Sequence, residues 1–180
     1  MKTGNISVKY LLIFISAFLL LHSSPALAQE FEPPRHYQFD TAGDYTFYLP
    51  EVVKGMEWMR NNPRTTAVEK RQKTEDFIIK WIYGSPSVYV VLEQYAMRLS
   101  TRNADLLVSF LFGYAKYQID HPTEKNLIPA NLQGIEYLLK DYEDNQKTFK
   151  RDVLIERALD LRNQGKLAEW VESQVGQKKW

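Results

Sequence analysis

The chain has 180 residues, no cysteine, 23 Lys plus Arg against 22 Asp plus Glu, and 44% hydrophobic residues. These figures exclude a disulfide-stapled miniprotein, a charged disordered tail and a cysteine-ligated zinc or iron–sulfur protein. They fit one globular domain with a full core, too near neutrality to draw nucleic acid or anionic lipid from a distance.

The first 28 residues read as a secretory leader. Lys2 and Lys9 form a basic start, the 12-residue run Tyr10–Leu21 is apolar, and Ala26-Leu27-Ala28 has the small–any–small form of a cleavage site. As a helix the run covers about 18 Å, short of a hydrocarbon core of roughly 30 Å. The expectation is a cleaved signal peptide and export to the periplasm or the medium. With no cysteine to carry a lipid, a lipoprotein anchor is excluded. Cleavage before Gln29 would leave 21 basic and 22 acidic residues and a net charge of −1. No later run is apolar enough to span a membrane, since Leu106–Ile119 holds Ser109, Lys116 and Gln118.

Residues 29–49 read as an irregular arm. Glu32-Pro-Pro-Arg35 favours extended backbone and Asp40-Thr-Ala-Gly43 is turn chemistry. Tyr45-Thr-Phe-Tyr48 would suit a strand, but without a partner strand the expectation is an arm whose aromatics lie on the domain.

A single helical domain is expected over residues 50–176. Pro50 suits a first turn, and Val52, Val53, Met56 and Met59 follow at helical spacing until Asn61-Asn-Pro63. Thr66-Ala-Val-Glu69 has the form of a capping box for a helix to about Tyr83, with Glu69–Lys73 and Asp76–Lys80 pairs one turn apart. Gly84 suits a left-handed cap. Ser85-Pro86 then restarts the chain, and Val88-Tyr-Val-Val-Leu92 fits a strand as well as a helix.

A helix from Ala104 to Ile119 ends at His121-Pro122. The next begins near Ala130, after Pro129, with Leu132, Ile135, Leu139 and Tyr142 as its apolar stripe. Phe149, Val153, Leu154, Ala158 and Leu161 suggest another, closed by Gly165, and Leu167–Val175 a short last one carrying Trp170. About six helices joined by short links predict a compact all-α bundle. No repeat of tetratricopeptide length occurs, although a helical-repeat-like adaptor remains an alternative.

The Ala104–Ile119 helix is apolar over most of its circumference and is expected at the centre. Asp105, Ser109, Lys116 and Asp120 fall within roughly 60° of one another when projected at about 100° per residue, with Gly113 beside them. This stripe is either a narrow window to solvent or the floor of a small polar groove, and it is the candidate site. Gly113 and Gly134 inside helices suggest close helix–helix approach, because glycine there costs about 1 kcal/mol relative to alanine.

Reactive constellations are missing from the pattern. Nothing positions a base or an oxyanion hole against Ser109. Only His36 and His121 follow the leader, one in the arm and one at a helix end, so no metal site is expected. Glu75-Asp76 and Glu143-Asp144 are neighbours and diverge on a helix. No phosphate loop or nucleophile elbow occurs. Of the paired aromatics Trp81, Tyr83, Tyr114, Tyr117, Tyr137 and Tyr142, most are expected in the core. Terminal Lys178-Lys179 reads as a solvated tail, and Trp180 counts with the aromatics.

Four stretches carry a resemblance: Lys80-Trp-Ile-Tyr-Gly-Ser-Pro86, Asp105-Leu-Leu-Val-Ser-Phe-Leu-Phe-Gly-Tyr-Ala-Lys-Tyr117, Asn131–Lys140 and Gln164-Gly-Lys-Leu167. Across residues 50–175 the chain resembles a group of small exported all-helical proteins of uncharacterised function. The resemblance implies one integral domain and no catalytic, cofactor-binding or metal-binding residue. The expected role is that of an exported, non-enzymatic domain working through a binding surface, as an envelope-associated accessory or scaffold. Its expected partner is another exported protein, not nucleic acid. The rival expectation is a small hydrolase whose carboxylates converge only in the fold.

Overall fold

Thr41 begins the first helix. Its hydroxyl accepts the Asp44 amide at 3.3 Å while the Asp44 carboxylate accepts the Thr41 amide at 2.8 Å, a reciprocal cap. The computed structural model describes residues 31–176, so the leader, the Lys178-Lys179 tail and Trp180 lie outside the described residues. Helix α1 runs Ala42–Asn61, α2 Val68–Gly84, α3 Gln94–Ser100, α4 Asp105–Asp120, α5 Ile128–Asp144, α6 Val153–Asn163 and α7 Leu167–Gln174. The described residues form seven helices and no strand, an all-α bundle. None of these helices is long and apolar enough to cross a membrane.

Five local expectations are corrected. The irregular arm stops at Asp40, and Tyr45–Tyr48 are helical, because the Thr41–Asp44 cap starts α1 two turns earlier than Pro50 suggested. Pro50 sits inside α1 on its exposed side. The Thr66–Glu69 box does not form: Ala67 takes a left-handed backbone (φ 46°) at the N-cap, and Glu69 binds Lys73 at 2.6 Å instead. Gly84 is no left-handed cap. It ends α2 as glycine because a Cβ there would lie 2.0 Å from the Tyr45 hydroxyl. Along α6, Val153 and Leu154 are exposed while Ile155 and Ala158 are buried, because the Asp152 cap sets the inward face one residue later.

Helix α3, Gln94–Ser100, had no counterpart in the sequence pattern, and the remaining helices follow it. Gly165 adopts φ 70° just past α6, which a side chain resists. Lys80, expected to pair with Asp76, places its ammonium 5.3 Å from the Tyr37 ring centroid. Val88–Leu92 is neither helix nor strand. The Gln118 side chain binds it as a neighbouring strand would, accepting the Tyr89 amide at 2.8 Å and donating to its carbonyl at 3.0 Å. Asn103 does the same for Lys150, at 2.9 and 2.8 Å.

Helix α4 is the shared spine. Its Leu106, Phe110 and Tyr114 enter one apolar cluster with α3, α5, α6 and α7. Its Phe112 and Ala115 enter a second, with Val52 and Met56 of α1 and Phe77, Ile78 and Trp81 of α2. Arm residues Tyr37 and Phe39 close the second cluster, the Tyr37 ring meeting Phe77 edge-on at 4.9 Å. Helices α4 and α5 interlock through reciprocal notches. A Cβ on Gly113 would meet the Gln133 carbonyl at 2.5 Å and the Tyr137 ring at 2.8 Å, and one on Gly134 would meet the Phe110 ring at 2.7 Å. The two glycines therefore serve close helix approach.

Candidate functional site

Seating Tyr137 in the Gly113 notch cuts the polar stripe in two. Ser109 lines a small recess on one side, Lys116 and Asp120 line a wider groove on the other, and Tyr137 borders both. Arg60 lies over the Tyr137 ring, 4.4 Å from its centroid, and seals the divide. Asp105, Ser109, Lys116 and Asp120 thus share a helix face but not one groove.

Two residues that sequence reasoning missed hold the first half together. Arg64, in the α1–α2 link, donates to Asp141 of α5 from Nη2 at 2.7 Å and from Nε at 3.0 Å, and reaches Asp105 at 3.3 Å. Ser109 donates to the same Asp141 carboxylate at 2.5 Å, and Asn145 adds an amide donor at 2.9 Å. Arg64 and Asp141 are only 10% and 15% exposed, so this is a desolvated, fully paired network. Both oxygens of the Asp141 carboxylate accept hydrogen bonds, and Ser109 is one of the donors. The cluster pins the link to the bundle. Seventy-seven residues separate Arg64 from Asp141, and no local spacing signals such a pair.

In the second half, Lys116 and Asp120 pair at 2.5 Å. The groove they border has a volume of about 550 Å³ and carries the carboxylates Glu57, Asp120 and Glu136. Burial pushes the Glu136 carboxyl above its usual range, partly opposed by Arg162. Both aromatic faces nearby are covered: His121 stacks on Tyr117 at 4.2 Å, and Arg60 covers Tyr137.

A third concavity belongs to none of the stripe residues. Ile79, Ile82 and Tyr83 of α2, Leu111 of α4, and Val88, Tyr89 and Val90 of the irregular segment line a groove of about 350 Å³ without a charged side chain. Tyr83 is 94% exposed and Tyr89 73% exposed, whereas Trp81, Tyr114, Tyr137 and Tyr142 are buried. The i,i+2 spacing of Trp81 and Tyr83 was a usable signal, because it sends two large rings to opposite sides of one helix.

Compared with known protein families, curated proteins and solved structures, the chain matches none of them.

Proposed function

We propose that the chain is an exported, non-enzymatic helical domain that binds another exported protein through a surface, as an envelope-associated accessory or scaffold. The supporting observation is the uncharged groove beside Tyr83 and Tyr89. Two large aromatic rings left in water beside Ile79 form a contiguous apolar patch of the kind that marks interaction sites. The leader-like residues 1–28 support export. A photo-crosslinking side chain at Tyr83, expressed in the native envelope, tests this. The reading expects one discrete adduct, lost on Tyr89→Asp with an unchanged melting curve. Crosslinking at Tyr83 no greater than at exposed Val153 overturns it.

A second reading is supported by the groove holding Glu57, Asp120 and Glu136. A carboxyl raised by burial at the edge of a groove is what a general acid requires. A small hydrolase would lose turnover of glycoside or peptide substrates on Glu136→Gln. Asp120 held by Lys116 and two covered aromatic rings favour the binding reading over this one.

A further inference from the structure

Arg71 is the one buried cation among the described residues, 7% exposed, and no carboxylate there lies within ion-pair distance of it. Its Nη2 donates to the Met59 carbonyl at 3.2 Å and to the Asn62 carbonyl, both at the end of α1. Its Nη1 has only the Met59 thioether at 3.5 Å, its Nε has no hydrogen-bond partner, and the Trp58 ring, with its centroid 5.6 Å away, is the aromatic group beside the guanidinium. Native proteins pair a charge taken out of water, because an isolated one is strongly disfavoured. Asp141 favours the Arg71 charge, but its carboxylate is already engaged by Arg64, Ser109 and Asn145. Arg64 itself adds a like charge nearby, and burial together with that repulsion makes the Arg71 proton easier to lose. The half-buried Glu75 in the same neighbourhood is raised by burial and is a poor counterion.

Arg71 lines a cavity of about 30 Å³ between α1, α4 and α5. Its walls include Met56, Phe112, Tyr137 and Arg60, and no carboxylate among the described residues lies within ion-pair distance of Arg60. The two acids on the wall are committed, Asp141 to Arg64 and Asp144 to Lys140. A cavity of this size admits a water molecule or one small ion. Water there would leave the guanidinium charge unanswered, whereas an anion offsets it.

We propose that this cavity between Arg71 and Arg60 is a binding site for one small monovalent anion of chloride or formate size. The site is independent of the apolar groove and of the partner proposed there. Melting curves of the full chain in sodium chloride and in sodium gluconate, at matched ionic strength, test it, because gluconate is too large to enter. Chloride is expected to raise the melting temperature saturably, by about 2–4 °C, relative to gluconate. Arg71→Met is expected to abolish that difference. Diffraction from a crystal grown in sodium bromide supplies a readout on the unaltered protein, with an anomalous peak expected beside Arg71. Equal melting in the two salts overturns the proposal. So does a chloride effect that survives Arg71→Met, or a bromide crystal whose cavity holds only water.

Discussion

The α4–α5 seam and the Val88–Leu92 segment lie on either side of the same spine and solve the backbone problem in opposite ways. In the seam both backbones are helical and bond along their own axes, so the helices are free to approach until Gly113 and Gly134 accept a ring each. The segment has no ladder of its own. One glutamine amide from α4 meets Tyr89, and the Tyr114 hydroxyl accepts the Val91 amide at 3.5 Å. Where the backbone is self-sufficient, side chains are spent on packing. Where it is not, polar side chains are drawn in and apolar ones are left outside, as Tyr89 is.

The seam is the more fragile of the two. Gly113→Leu places a branched side chain against the Gln133 carbonyl and the Tyr137 ring, both within 3 Å of its Cβ. Overpacking of this kind costs about 3 kcal/mol or more, and the melting temperature should fall by roughly 10 °C in circular dichroism. An unchanged curve would remove the notch from the account. For the segment, Gln118→Ala deletes both clamp bonds at the cost of about 1–2 kcal/mol. Hydrogen exchange at Tyr89 should quicken much more than exchange within α4. Equal protection of Tyr89 in the two proteins would mean that packing, and not the amide, holds the segment.

The smallest effect concerns Glu136 on the outer side of the seam. Its carboxyl is raised in the folded state, so the folded protein holds the proton more tightly than the unfolded chain does. The contribution to stability is therefore fullest at low pH and is lost as pH rises from about 4.5 upward through the folded value. Glu136→Gln should flatten that decline in urea unfolding midpoints. A decline of undiminished slope assigns it to other carboxyls.

Much of the fold was legible because its signals are local. Pro129 marks the start of α5, Gly165 closes α6, and the apolar circumference of Ala104–Ile119 places α4 at the centre. The start of α1 was obscured because its cap pairs Thr41 with an aspartate, and Pro50 offered a louder start signal further on. Thr66 had the right spacing, but one left-handed residue at Ala67 redirected the chain before the box closed. The candidate stripe was legible as a helix face and illegible as a site. Arg64 and Asp141, which decide what Asp105 and Ser109 do, come from a link and a helix far apart in sequence. Gln118 stood out as the exception on an apolar surface, and its reason became visible only with the unpaired segment beside it.

Because α4 lends Phe110 to one cluster and Phe112 to the other, the molecule has no dispensable half. A truncation ending after α3 would strip the α1–α2 layer of its floor, and one beginning at α4 would leave Phe112 and Ala115 facing water. Neither fragment retains a closed interior, so loss of order should proceed in a single concerted step.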